Sequence, residues 1–514
     1  MKTTFKILLT IVLLSACGEK KSEESPNMMM DLSVPVEETI LNTEEYNVIQ
    51  ENNFVEVLKN PLSTFSIDVD AASYSNTRRY ISQGQLPPVD AVRIEELVNY
   101  FDYNYPEPQD SQPFSVYTEF SECPWNMDHQ LLHIGLQGKK MQKEQLPPNN
   151  LVFLLDVSGS MEDSNKLPLL KSSFHLLVEQ LGKDDKIAIV VYAGSAGLVL
   201  PSTSCDQKDK IIQAINDLEA SGSTAGAEGI IQAYQIAEAN FQKNGNNRII
   251  LATDGDFNVG VSSEAELVRL IEKKRETGIF LSVLGFGTGN LKDAKMEQLA
   301  DQGNGNYYYI DNLFEAQKVL VTEMGGTLNT IAKDVKIQVE FNPTKVYQYR
   351  LIGYENRALK NEDFENDAKD AGELGAGHAV TAIYEIVLKD KAVDTATEVK
   401  YKYQTIQASP DAHANNELGI LNLRYKDPDS DKSKLVEHKI LNNQVSFDQT
   451  SDDFKFAAAV VEYGLLLRAS AYKNKASFNQ VIKLAKLSKG EDQQGYREAF
   501  IKMVETTEAI YKQQ

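Results

Sequence analysis

The sequence predicts an α/β fold built on a doubly wound, mostly parallel sheet, combined with a β-sandwich-like domain and C-terminal helices. Three observations carry that reading. Between residues 149 and 326, continuous apolar runs alternate with amphipathic helical stretches, as in a parallel sheet covered on both faces. Between 327 and 445 the period changes to two, the mark of antiparallel strands with one buried face. From 446 to 514 the apolar residues return to helical spacing.

The chain opens with Lys2 and Lys6, no acid, and an apolar run from Ile7 to Leu14, followed by Ser15 and Ala16. A basic start, a short apolar core and small terminal residues describe an export signal over 1–16, too short to span a bilayer comfortably. Leu14-Ser15-Ala16-Cys17 resembles the lipobox of bacterial lipoproteins. That resemblance implies cleavage before Cys17 and acylation of the new terminus, a stable anchor in the cell envelope. Gly18, rather than aspartate, after Cys17 resembles outer-membrane sorting in well-known bacteria, which implies the outer over the inner membrane, with the folded part facing the periplasm or the cell surface. Residues 17–58 are polar, acidic and weakly periodic, and are expected to form a flexible tether. Within them the Met28–Met30 run offers a small docking element as an alternative.

An N-terminal region is expected over 59–110. It reads as a strand, a helix from Ser73 to Gln83, a break at Pro87 and Pro88, and a helix through Ile94, Leu97, Val98 and Phe101. FSVYTEF (114–120) and LLHIGLQGK (131–139) read as strands. Because β patterns flank the α/β block on both sides, the strands of 111–148 are expected to pair with those after 326. The block would then be an insertion in one split β domain.

Inside the block, VFLLDVS (152–158), IAIVVYA (187–193), RIILATD (248–254), IFLSVLGFG (279–287) and NYYYI (306–310) are the expected strands. One helix presents Leu170, Phe174, Leu177 and Val178, and a second spans 225–241. A third starts at a Ser263/Glu266 capping box and stops at Gly278, a short one carries Met296 and Leu299, and a last one covers 313–324. Beyond it, 335–341, 346–354, 379–388, 398–406, 418–426 and 435–440 alternate as strands.

Composition bounds the function. The 514 residues hold 74 acidic against 52 basic side chains, a formal charge of −22. An evenly acidic surface repels phosphate backbones, so nucleic acid is excluded as a partner. Three cysteines rule out a disulfide-stapled scaffold; with Cys17 acylated, Cys123 and Cys205 are left as an optional pair in an oxidising compartment.

The chemistry gathers at strand ends. The strand 152–155 runs into Asp156-Val157-Ser158-Gly159-Ser160, which sets three short oxygen side chains around one point at a carboxyl edge. Open α/β sheets bind ligands at that edge, Gly159 permits the tight turn, and oxygens suit a hard cation such as Mg²⁺. By itself this could be a serine-rich turn. Thr224, in SGSTAGAEG (221–229), precedes a helix and could be only its cap. RIILATD ends at Asp254-Gly255, a second carboxylate at the same edge or a plain turn.

Taken together and in this order, the three pieces resemble the von Willebrand factor type A domain, over about 149–326. The resemblance implies a Rossmann-like fold with an intact metal-ion-dependent adhesion site. It assigns Asp156, Ser158, Ser160, Thr224 and Asp254 to the five metal positions. In that family a partner's carboxylate completes the shell, and neutral hydroxyl ligands leave the cation electrophilic towards it. SIDVDAASYSNTRRY (66–80) resembles the N-terminal region that accompanies such domains, and the chain from about 330 resembles the C-terminal domain of YfbK-like lipoproteins. Those matches imply an architecture without an established activity.

The expectation is a membrane-anchored, non-enzymatic, metal-dependent protein-binding module for adhesion or assembly. It uses Mg²⁺, with Mn²⁺ or Ca²⁺ as alternatives, and a protein partner that offers an exposed Asp or Glu. The rival is a structural envelope protein whose metal site only stabilises the fold. A metal-assisted hydrolase ranks third and needs a base among Glu162, Asp163 and Asp256.

Other motifs weigh less. Asp68-Val69-Asp70 has the spacing of a phosphatase nucleophile pair but leads into helix, proline break and helix, so a turn or cap is expected. GFGTGN (285–290) lacks the last glycine of a nucleotide turn and reads as a loop beside the metal site. Asp427, Asp429 and Asp431 begin like a calcium loop, but Lys432 and His438 stand where glycine and glutamate belong, so a polar hairpin tip is expected. His129 and His133 lie on a strand and form no zinc pattern.

Overall fold

The computed structural model describes residues 43–109, 112–142, 145–223, 226–255, 264–391 and 407–513. Cys17, the Met28–Met30 run, Thr224, Ser263 and the expected strand at 398–406 lie outside them.

The strand Asn149–Asp156 is buried along its whole length, and its period of two divides the core. Leu151, Phe153 and Leu155 pack with Leu170, Phe174 and Leu177 on one face. Val152 and Leu154 pack with Ile230, Ala233 and Tyr234 on the other. The sheet has six strands in the order Tyr307–Ile310, Ile279–Phe286, Asn246–Thr253, Asn149–Asp156, Lys186–Tyr192 and Ala196–Ser204. The first five are parallel, and the last is an antiparallel edge. That edge strand went unforeseen because AGLVLPSTS contains Pro201 and leaves Leu198 and Val199 exposed. Proline and half-exposed residues are what an edge tolerates.

Two antiparallel sheets form the sandwich around a shared core. One runs Val55–Glu56, Val346–Ile352, Ala379–Leu388, Asn126–Gly138, Phe114–Cys123. The other runs Gly372–Gly375, Thr330–Phe341, Glu417–Lys426, Ser433–Leu441, with Leu62–Ser66 also on Thr330–Phe341. Asn126–Gly138 pairs with Ala379–Leu388, from Ala379 opposite Gln137 to Ile386 opposite Gln130. The chain therefore leaves one sheet, builds the whole α/β block, enters the opposite sheet at Thr330–Phe341, and then returns to the first with Val346–Ile352 and Ala379–Leu388. Asp427–Asp431 sit between the paired strands Glu417–Lys426 and Ser433–Leu441, at a hairpin tip.

The helices Asp452–Leu467, Phe478–Leu487 and Tyr496–Tyr511 share one core with Ala72–Ser82 and Ile94–Asn99. Ser451 caps the first of them through the Phe454 N–H. The N-terminal region drawn at 59–110 is thus not a separate unit: its strand belongs to the sandwich and its helices to the C-terminal layer. Among the described residues no helix is long and apolar enough to cross a membrane.

The tether boundary at 58 also needs correction. From residue 43 onward the chain is part of the folded body. Thr43 N–H donates to Gly289 O at 2.8 Å, Glu44 meets Arg79, and Glu45 pairs with Lys292 at 2.7 Å. Val55–Glu56 pairs with the strand Val346–Ile352. Apart from Val55 and Val57 at the sandwich core, these attachments are polar, so they leave no hydrophobic period to read.

Asp68 forms the expected local turn, accepting the Asp70 N–H at 2.9 Å, and both aspartates are also buried anchors between distant segments. Arg357 reaches Asp68 at 3.2 Å, Asp70 at 3.1 Å and Asp301 at 2.6 Å, and the Tyr307 N–H donates to Asp70 at 2.9 Å. Arg93 adds a second link, to Asp293 at 2.5 Å. Both arginines tie the α/β block to the rest of the chain. Cys123 and Cys205 are free thiols in two different cores, so the optional disulfide does not form. His133 is buried and bonded to the Tyr105 hydroxyl at 2.5 Å, and His129 meets Glu385.

Candidate metal centre

In the α/β sheet the first strand of the block, Asn149–Asp156, lies between Asn246–Thr253 and Lys186–Tyr192. The connections leave it in opposite directions, which opens a crevice at the carboxyl ends of the strands. Asp156 ends that strand, and Asp254 follows the next one.

Asp156 is fully buried and oriented by four donors. Its Oδ1 accepts the Ser158 N–H at 2.9 Å and the Ser158 hydroxyl at 2.6 Å. Its Oδ2 accepts Thr253 Oγ1 at 3.0 Å and the Tyr192 hydroxyl at 3.2 Å. Ser158 Oγ lies 3.1 Å from Ser160 Oγ, and Ser160 is exposed, so the cluster opens to solvent on that side. Gly159 N–H donates to Gly222 O at 3.0 Å, and Ser221 N–H donates to Val157 O at 2.7 Å. Those two bonds bring the loop that leads to Thr224 against the serine turn; Thr224 itself lies outside the described residues.

Asp254 is buried and ion-paired to Lys166 Nζ at 3.0 Å. The following Gly255 has φ of +101°, and a Cβ there would lie 2.7 Å from Lys292 N and 2.9 Å from Asn290 O. Only glycine lets the 285–292 loop approach this closely. That loop contains the GFGTGN stretch, which lies beside the site as its sequence suggested. The structure therefore brings together Asp156, Ser158, Ser160 and Asp254.

The two carboxylates differ in character. Burial raises the Asp156 carboxyl to about 6, against the Ser158 hydrogen bonds and with help from the neighbouring Asp254 charge. Burial also acts on Asp254, but hydrogen bonds from Asn290 and the Lys166 ammonium outweigh it and hold that carboxyl below the usual range.

The donors fit a hard cation. An octahedron with bonds of about 2.1 Å has oxygen–oxygen edges of about 3.0 Å, close to the 3.1 Å between the two serine hydroxyls. Ser158, Ser160, Asp156 and Asp254 would hold Mg²⁺ or the similar Mn²⁺.

Sequence reasoning missed Tyr192, Thr253, Lys166 and Asn290. A signal for the first existed: Tyr192 is the register partner of Asp156 on the neighbouring strand. Thr253 immediately precedes Asp254. Lys166 and Asn290 come from loops whose approach no local pattern encodes.

Residues 150–323 match the von Willebrand factor type A domain, 40–133 match a region described as von Willebrand factor, and 326–510 match the C-terminal region of uncharacterized protein YfbK. The α/β block is therefore a type A domain. The uncharacterized protein YfbK of Escherichia coli (strain K12) is 45% identical over 475 residues, covering 91% of this chain and 82% of the relative. The chain belongs to the YfbK family. Human inter-alpha-trypsin inhibitor heavy chain H3 is 22% identical over 47% of this chain, which spans 29% of that protein. Among solved structures, a von Willebrand factor type A protein from Catenulispora acidiphila covers 76% of this chain and 89% of its own, at 18% identity and a TM-score of 0.40.

Proposed function

We propose that the protein is a non-catalytic, metal-dependent binding module held at the cell envelope by acylated Cys17. Ser158, Ser160 and Thr224, with Asp156 and Asp254, hold Mg²⁺, and an exposed Asp or Glu of a protein partner completes the shell. When bound, the cation supplies an electrophilic centre for that carboxylate. The residues of the chain prepare it. Tyr192 and Thr253 fix the Asp156 carboxylate through its Oδ2, and Oδ1 orients the Ser158 hydroxyl. The exposed Ser160 leaves the approach open. The observation that carries the reading is the 3.1 Å hydroxyl pair beside two buried carboxylates at the strand switch.

The test uses the detergent-solubilised full chain. A Mg²⁺ titration by calorimetry should give one site, lost in Asp156→Ala. Crosslinked partner should be recovered with Mg²⁺, and lost with EDTA and with Asp156→Ala. Partner recovery that survives both treatments, alongside a Mg²⁺-dependent rise in melting temperature, would leave the metal as a stabiliser of the fold only.

A further inference from the structure

Lys166 stands one residue before the helix Leu167–Gln180, and its side chain turns inward. Only 6% of that side chain is exposed, and its Nζ lies 3.0 Å from Asp254 Oδ2. Lysine is among the residues most rarely buried, since its ammonium gives up strong hydration and its long stem loses rotamer freedom. The fold provides a channel for it. At Gly287 a Cβ would lie 2.4 Å from Lys166 Cε, 2.6 Å from Cγ and 2.8 Å from Cδ. Gly287 also has φ of +75°, where a side chain is strained in any case. Tyr309 donates to its carbonyl at 2.5 Å, which pins the channel wall from the other side. The missing side chain at 287 is what lets the lysine stem reach Asp254.

The consequence is a charge count. The site gathers two carboxylates, Asp156 and Asp254, and neutral hydroxyls. Among the described residues, Asp156, Asp254 and Lys166 together contribute one net negative charge; without Lys166, two. A divalent cation then leaves the site at +1 with the lysine and at zero without it. Only the first has a net attraction for an incoming carboxylate, and in a buried, weakly screened site one unit of charge matters.

We infer that Lys166 is a positioning and specificity residue, a resident cation that lowers the affinity of the site for metal in order to keep the bound metal attractive to an acidic partner. The inference rests on the metal-binding reading above. It explains why a lysine is buried against a site meant for a cation: the lysine offsets Asp254 and leaves the remaining negative charge too small to neutralise the metal. Ser160 and Asn290 bond to the Asp254 carboxylate as well, so the lysine acts on the site through that shared group.

The experiment uses Mn²⁺ as the metal and acetate as the carboxylate probe, on the solubilised full chain. Mn²⁺ affinity is followed by electron paramagnetic resonance, and acetate entry by the loss of water-proton relaxation enhancement. Lys166→Met should bind Mn²⁺ about tenfold more tightly and require about tenfold more acetate for half displacement, opposite shifts from one charge. Lys166→Gln retains an N–H donor for Asp254 and should show the same two shifts, which covers a Met variant that fails to fold. Unchanged or weaker Mn²⁺ binding in a folded variant would overturn the role of Lys166 while the metal site stands. If neither wild type nor variant binds Mn²⁺, the metal reading falls and the inference with it.

Discussion

Replacing Glu44 with glutamine tests whether residues 43–58 are tether or fold. Glu44 Oε1 accepts the Gly289 N–H at 2.8 Å and Arg79 Nη1 at 2.9 Å. Its Oε2 accepts Arg79 Nη2 at 2.8 Å, Tyr46 at 2.8 Å and Tyr80 at 2.6 Å. Burial opposes ionisation there, but the Arg79 guanidinium and the surrounding donors hold the carboxyl at about 2 instead of 4.5. At about 1.4 kcal/mol per tenfold, that difference corresponds to roughly 3 kcal/mol, and water reaching the pair reduces it to about 2 kcal/mol. The depressed value means the stabilisation is complete above 4.5 and is lost as pH falls towards about 2. Urea unfolding at pH 7 should therefore find Glu44→Gln less stable by about 2 kcal/mol, with the gap shrinking to about 1 kcal/mol or less by pH 3. Limited proteolysis should cut the variant faster within residues 43–54. Equal stability at pH 7, or a gap independent of pH, would refute the assignment of this segment to the folded body.

Two further outcomes follow from buried groups. Burial pushes the Glu462 carboxyl up to about 8, with the Ser477 N–H opposing it. The fold favours its protonated form, so that contribution is complete below 4.5 and lost as pH rises to about 8. Glu462→Gln keeps the acceptor for Ser477, and by calorimetry its melting temperature should fall less than wild type between pH 5 and 9. At Gly229, an added methyl would lie 3.0 Å from Leu154 Cδ1 and 3.1 Å from Tyr192 Cβ. Gly229→Ala should cost about 1–3 kcal/mol in thermal unfolding through overpacking. By moving Tyr192 off Asp156 it should also weaken a Mg²⁺ titration more than an equally destabilising change far from the site.

Periodicity and strand-end chemistry are local, and local information was legible. The strand Asn149–Asp156, its Asp156-x-Ser158-x-Ser160 turn and the Asp254 at the next strand end could all be read, because strand and ligand pattern share one stretch of chain. So could the switch from parallel to antiparallel pattern near residue 327. What could not be read was contact between stretches far apart in sequence. Glu44 reaches Gly289, Arg357 reaches Asp68 and Asp70, and Lys166 reaches Asp254 through the space that Gly287 leaves. None of these repeats with a period.

By itself the sequence determined the α/β block, the sandwich pattern, the C-terminal helices and the order of the site residues. Each follows from backbone geometry acting over ten or twenty residues. Only the tertiary structure decided which strands of the split sandwich pair across the inserted block, that the folded body begins by residue 43, and that Lys166 joins the site. Those depend on backbone pairing and on buried charge meeting opposite charge between segments far apart in sequence, which hold the segments together and carry no signature along the chain.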